Sequence, residues 1–212
     1  MNITPDLIEK IVREVVASSG GAADSCPIGI SNRHIHLSRE DVDILFGKGY
    51  ELQKLKDLSQ PGQFACKETL TIVGPSMRPI EGVRVLGPER KATQVEISRT
   101  DSFQLKVKPP VRESGKIENS APITIIGPKG VVSHNEGCII ANRHIHMSLE
   151  DGAKFGVKDC DYVTVELNGE RRTTFYDVQI RVHKDFRLEM HIDTDDANAA
   201  GVKNGDIAKI IK

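Results

Sequence analysis

Tryptophan is absent from this 212-residue chain, and its aromatic side chains are six Phe and three Tyr. So few rings leave little surface on which to stack bases. Charge of one sign is also missing. Twenty-nine Lys and Arg balance thirty Asp and Glu to a net charge of −1, so no global field draws the chain to nucleic acid or to an anionic membrane. Neither partner is expected. No run approaches the ~18–20 apolar residues of a membrane span, and the first residues lack the basic-then-apolar layout of a secretion signal. The four cysteines, Cys26, Cys66, Cys138 and Cys160, form no C-x-x-C pair. That argues against a Cys-rich zinc site and a dithiol redox centre. Reduced, mostly buried thiols in a cytoplasmic protein are the expectation.

What is present falls into a short N-terminal segment and a long β-rich body. Residues 5–17, "PDLIEKIVREVVA", carry apolar side chains at 7, 8, 11, 12, 15 and 16, with Thr4 as N-cap and Pro5 at N1. This reads as an amphipathic helix, tethered by the small-residue stretch "SSGGAADS". Beyond it, "ETLTIVGP" (68–75), "GVRVLGP" (82–88) and "PITIIGP" (122–128) each run an apolar strand into Gly-Pro, a pair that turns the chain and stops a ladder. "TQVEIS", "SFQLKV", "YVTVEL", "TTFYDVQIRV" and "DIAKII" are further β-type runs, and 108–122 is a long polar loop. Many short strands between such turns predict barrels or sandwiches.

The chain writes nearly the same ten letters twice, "NRHIHLSRED" at 32–41 and "NRHIHMSLED" at 142–151. On a strand, residues i and i+2 share a face. His34 and His36 therefore project together while Ile35 faces a core, and His144 and His146 do so around Ile145. Two imidazoles on one strand face form a half-site for Zn²⁺ or a similar divalent ion. Duplication explains the repeated flanking letters but not the retention of both imidazole pairs. After each pair, Ser-x-x-Asp (Ser38 to Asp41, Ser148 to Asp151) opens a short helix that stops near Gly47 or Gly156. A third short helix lies in "DTDDANAAG" (193–201), capped by Asp193 or Thr194. Each half-site needs a further ligand. His191 ends an alternating strand before a capped helix, His183 reads as a surface or turn residue, and nothing points to His134. Glu96, flanked by Val95 and Ile97, is either solvent-facing or an inward ligand.

In this order, "SNRHIHLS", "GPERKATQVEIS", "GPKG", "ANRHIHMS" and "HIDTDDANAAGVKNGD" resemble the phosphate propanoyltransferases, the PduL-type phosphotransacylases, over about residues 26–212. The resemblance implies a mainly β fold: two small β-barrels capped by short α-helices, with a two-zinc active site between them. It implies a discontinuous first barrel (26–32 plus 142–212), a second barrel (33–141), and residues 1–25 as helix and linker. One zinc would be held by His34, His36 and Glu96, the other by His144, His146 and His191. Arg90 matches the family's phosphate-binding arginine. Ser31, Lys56, Arg84, Leu86, His191 and Asn198 fall at positions resembling coenzyme A contacts. Acyl-CoA and phosphate are the implied partners, with a homodimer. Helix 5–17 resembles the tags that target enzymes to bacterial microcompartment shells.

The reaction so implied is acyl-CoA plus phosphate, reversibly giving acyl phosphate and CoA, with propionyl or acetyl as the acyl group. Arg90 lies six residues before Glu96, an even spacing that puts both on one face if one strand carries them. Its planar fork suits phosphate. The chain has no G-x-S-x-G elbow and no evident Cys–His pair, which favours direct attack by phosphate over an acyl-enzyme. Two alternatives stand beside this reading. In a binuclear zinc hydrolase or thioesterase, water would replace phosphate; a zinc-stabilised binding barrel would close its sites with four ligands.

Overall fold

The computed structural model describes residues 24–211, which form fourteen strands and four helices. The amphipathic segment 5–17 lies outside the described residues. The strands are β1 (Ser25–Ser31), β2 (His34–Ser38), β3 (Lys54–Asp57), β4 (Phe64–Val73), β5 (Pro79–Arg90), β6 (Gln94–Glu96), β7 (Val111–Arg112), β8 (Ala121–Ile126), β9 (Val131–Ala141), β10 (His144–Met147), β11 (Tyr162–Leu167), β12 (Thr173–Val182), β13 (Glu189–Asp193) and β14 (Ile207–Ile211). The helices are α1 (Arg39–Phe46), α2 (Arg99–Leu105), α3 (Leu149–Phe155) and α4 (Thr194–Ala200).

The fold is mainly β, in two closed six-stranded barrels. One ring runs β1-β13-β10-β12-β11-β14 and closes through β1 and β14. The other runs β4-β5-β2-β6-β9 and closes because β8 pairs with both β9 and β4, while β3 and β7 pair outside the ring. Alternation builds each interior. Ile35 and Ile145, the residues between the paired histidines, are fully buried, each in the core of its own barrel. The two cores share no residue.

The chain crosses between barrels just before each histidine pair. β1 leads into β2 but pairs with β13 and β14, and β9 leads into β10 but pairs with β6 and β8. Each repeat thus lends its leading strand to the barrel of the other.

Two expectations need correction. "SFQLKV" does not form a strand: its first four residues end α2, which Ser98 opens through a capping box with Asp101. The hydroxyl accepts the Asp101 N–H and the Asp101 carboxylate accepts the Ser98 N–H, so the free amides of the first turn are satisfied and helix wins over alternation. Gly87-Pro88 also fails to end its strand. β5 continues to Arg90 because the β2–β5 register shifts between His36 and Ser38, and the missing proline donor falls in that irregularity. Elsewhere the Gly-Pro glycines serve close packing: a Cβ on Gly127 would lie 2.6 Å from the Leu45 carbonyl oxygen at the end of α1. Among the described residues no helix is long and apolar enough to cross a membrane.

Candidate active site

The ladders around the two histidine strands match position for position. β2 lies between β5, parallel, and β6, antiparallel; β10 lies between β12, parallel, and β13, antiparallel. His34 stands directly opposite Glu96, and His144 directly opposite His191. Directly opposed residues on an antiparallel pair hold their side chains ~5 Å apart on one face, so each ladder adds a third donor beside its imidazole pair. The outcome is two triads, His34–His36–Glu96 and His144–His146–His191, each with its ligand-type atoms within 4.8 Å of one another. Glu96 therefore faces inward, 8% exposed.

Hydrogen bonds fix which ring atoms are free. His34 Nδ1 donates to the Asn32 carbonyl at 2.8 Å, and His144 Nδ1 to the Asn142 carbonyl at 2.7 Å, which leaves Nε2 as the atom each ring can offer its triad. Nδ1 of His36 and Nδ1 of His146 are buried without any hydrogen-bond partner. Buried unpaired nitrogen is costly unless something else binds it. Two such orphans, one per triad, beside further imidazoles and a carboxylate, make donor sets that could hold a metal ion.

The electrostatics of the triads differ. Burial opposes ionisation of Glu96, but the adjacent His34 outweighs it and holds the carboxyl well below the ordinary range; their closest approach is 3.5 Å. In the second triad burial, reinforced by His191, lowers His144 to about 4, and burial with His144 and then His191 lowers His146 to about 2. Those two rings remain neutral, lone-pair donors across the physiological range.

Both triads line one cleft of about 650 Å³, shared by the two barrels. The charge of Glu96 is felt at His144. Ser31, Lys56, Arg84, Leu86 and Arg90 line the same cleft. Lys56 sits on the fully exposed β3, and Arg84 directs Nη1 to the Cys66 and Lys67 carbonyls at 3.1 and 2.8 Å. Asn198, exposed on α4, is not among the lining residues, whereas Asn204 is, holding the Ile30 N–H through Oδ1 at 2.8 Å. His134 and His183 lie apart from both triads. Arg90 and Glu96 share the cleft for a different reason than strand parity: they end two different strands, β5 and β6, on either side of β2.

A family model described as phosphate propanoyltransferase matches residues 27–203. The chain belongs to that family. It is 55% identical to a phosphate propanoyltransferase of Lachnoclostridium phytofermentans over 97% of each chain. It is 59% identical to one of Thermotoga maritima over 87% of this chain and 88% of that one. A third, from Priestia megaterium, is 54% identical over 94% and 93%. Membership makes the chain an acyltransferase.

Within this cleft the structure adds residues that sequence reading missed. Arg181, opposite His146 on the parallel side, lines the cleft and lowers the pKa of Arg90, after burial and against Glu96. Ser114, from the long loop, accepts from Arg90 Nη1 (3.1 Å) and Gln94 Nε2 (3.0 Å) and donates to Glu96 Oε1 (2.8 Å). Glu189 stands opposite His146 across the antiparallel ladder. Only Glu189 left a signal in the sequence: two residues before His191, it shares that residue's strand face.

Proposed function

We propose that the cleft converts a short-chain acyl-CoA, propionyl or acetyl, and phosphate into acyl phosphate and CoA, reversibly, with Zn²⁺ in each triad. The observation carrying this reading is the pair of guanidinium groups, Arg90 and Arg181, in the same cleft as both triads. Two like charges close enough to influence one another are what a dianionic phosphate neutralises. When bound, a divalent metal supplies Lewis-acid stabilisation to a polarised carbonyl and a departing thiolate.

The chain's own groups bind and orient the reactants. Arg90 and Arg181 hold phosphate by forked, charge-assisted hydrogen bonds, and Ser114 keeps the Arg90 fork in place by joining it to Glu96. A phosphate oxygen attacks the thioester carbonyl carbon; the new C–O bond forms as the C–S bond breaks, and sulfur leaves as the CoA thiolate. Phosphate is already anionic at neutral pH, so the attack needs no protein base, and the proton that hydrogen phosphate carries is free to pass to the departing thiolate. None of the four cysteines lines the cleft, and the Ser114 hydroxyl is committed to Arg90, Gln94 and Glu96, which supports direct attack. Ser31, Lys56, Arg84 and Leu86 form the CoA-facing wall in this reading, with 26–32 plus 142–212 as one domain and 33–141 as the other. A homodimer, and encapsulation in a microcompartment through residues 5–17, belong to the same proposal. Deleting residues 1–20 should leave activity intact and abolish co-purification with shells.

The test follows free thiol from propionyl-CoA and acetyl-CoA, with and without phosphate, before and after chelation. Thiol release should require phosphate and vanish on chelation. Release indifferent to phosphate would make the protein a thioesterase instead.

A further inference from the structure

The two triads occupy matched ladders, but the residues beside them are not alike. Opposite His36 stands Gln94, whose Nε2 donates to Glu96 Oε1 at 2.6 Å. Opposite His146, at the corresponding position, stands Glu189, whose Oε2 lies 2.7 Å from His191 Nε2. Each site therefore owns one carboxylate. In the first it belongs to the triad, with a neutral amide beside it; in the second it stands beside an imidazole.

We propose that Glu189 is the positioning residue of the second metal site, an inference that rests on reading the triads as divalent-metal sites. It accepts the Nε2–H of His191 and so fixes the tautomer and tilt of that ring. A ring held through Nε2 carries its lone pair on Nδ1, the same atom that is unpartnered in His36 and His146. The carboxylate also supplies, from beside the ring, the negative charge that Glu96 brings directly to the first site.

Glu189 is itself held by the other barrel and lies against a residue without a side chain. Ser59, in the loop after β3, donates Oγ to Glu189 Oε2. Its neighbour Gln60, buried although it lies in a loop, clasps the backbone of Arg187 from both sides: Nε2 donates to the Arg187 carbonyl and Oε1 accepts the Arg187 N–H, each at 3.1 Å. Gly29 on β1 makes the room. A Cβ there would lie 2.9 Å from Glu189 Cδ, and the Gly29 backbone demands no unusual dihedral, so a side chain at this position would act by pushing the carboxylate aside. A loop of one barrel thereby steadies the third ligand of the other.

Zinc content and zinc competition against a chromogenic chelator, measured on the purified full chain, test this. In Glu189→Ala one zinc should be surrendered at about 10–100-fold lower chelator than in the unmodified protein, the usual effect of removing a partner behind a metal-binding histidine. The other zinc should hold as before, and Glu189→Asp should recover part of the loss. Gly29→Ala should shift the same zinc in the same direction: Gly29 pairs with His191 on the ladder, but the nearest atoms its Cβ would meet are those of the Glu189 carboxylate. His191→Ala combined with Glu189→Ala should lose no more than His191→Ala alone, because the carboxylate acts only through that ring. Unchanged competition curves in Glu189→Ala and Gly29→Ala would overturn the inference while leaving the metal reading intact. A purified protein that takes up no zinc would overturn the metal reading, and this inference with it. Should Glu189→Ala fail to fold, Glu189→Gln, equal in size and without the charge, decides by the same curve.

Discussion

Placed side by side, β2 with its surroundings and β10 with its surroundings share their supports and differ in their chemistry. Arg33, between Asn32 and His34, forks onto Asp101, with Nε to Oδ2 at 2.9 Å and Nη2 to Oδ1 at 2.7 Å. Arg143, in the same place before His144, forks onto Asp196 at 2.8 and 2.9 Å. Both aspartates lie in the first turn of the helix that follows the third-ligand strand, α2 or α4, so one salt bridge per repeat ties histidine strand to ligand strand. The Asn carbonyl that orients the first ring is repeated as well. On the antiparallel side the occupants of the third-ligand position and its neighbour two residues earlier change, Glu96 and Gln94 against His191 and Glu189, and on the parallel side Arg84 and Leu86 face Gln179 and Arg181 across the comparison. The comparison teaches that the scaffold was kept while charge was moved, toward the open cleft in one site and beside a ring in the other.

Erasing that difference should have the largest effect. Glu96→His with Gln94→Glu would give the first ladder the residues of the second. If unlike metals are needed, both sites should still take up zinc while turnover falls by at least about a hundredfold, more than the 10–100-fold usual for an outer partner. Glu96→Gln should lower zinc content and turnover together. A double variant that turns over normally would show that the two sites are interchangeable and that the comparison carries no chemistry.

The next effect concerns the arginines, one from each barrel. Arg90→Ala and Arg181→Ala each remove charge-assisted hydrogen bonds worth about 1.5–3 kcal/mol. KM for phosphate should therefore rise about 10–150-fold in each, with zinc content and KM for acyl-CoA little changed. If only Arg90→Ala does so, phosphate is held by the barrel of residues 33–141 alone. Loss of zinc in either variant would show that the arginine supports the triads instead.

Much of this site was legible in the letters. Period-two geometry put each histidine pair on one face and Ile35 and Ile145 in the cores, where both are fully buried. The inward orientation of Glu96 was not, because it depends on which strand lies beside β2, and that pairing spans 62 residues of sequence (96 − 34). Arg181 was hidden for the same reason, inside an ordinary alternating run. The helix at Arg99–Leu105 does carry a sequence signal, since Ser98 and Asp101 repeat the capping pattern of Ser38 and Ser148, but the alternation of "SFQLKV" competes with it. Asn198 came from resemblance alone, and the structure leaves it on the exposed side of α4.

The shared supports should register as stability. Arg33 and Arg143 are 35% and 38% exposed at the side chain, so solvent discounts each fork to about 1 kcal/mol. Arg33→Ala and Arg143→Ala should each lower Tm by about 2–4 °C, in equal measure if the repeats are equivalent. Unequal shifts would show that one barrel depends on its fork more than the other.

The smallest expected effect lies where the supports themselves diverge. Asp151 closes the capping box of α3 on Ser148, with Oδ2 accepting the Ser148 N–H at 3.1 Å and its hydroxyl at 2.7 Å. Asp41, its counterpart in α1, takes the Thr93 hydroxyl and His134 Nε2 instead, the latter at 2.8 Å. The hydrogen bond to Asp41 raises His134 above 6.5, against burial and with further help from the charges of Asp41 and Glu40. Burial works against ionisation of Asp41, but His134 and Thr93 outweigh it and hold it below 3.8. A raised histidine contributes stability that is complete below its unfolded value and is lost as pH climbs through the folded one. A lowered aspartate contributes above its unfolded value and loses that contribution as pH falls through the folded one. The pair is thus strongest between the two, and thermal melts should show it weakening as pH rises above the ordinary histidine range. His134→Ala should flatten that decline by about 0.5–1 kcal/mol, the worth of a partly exposed ion pair. An unchanged slope would mean that the Asp41–His134 contact does nothing for its own barrel that the capping box on Asp151 does not already do for the other.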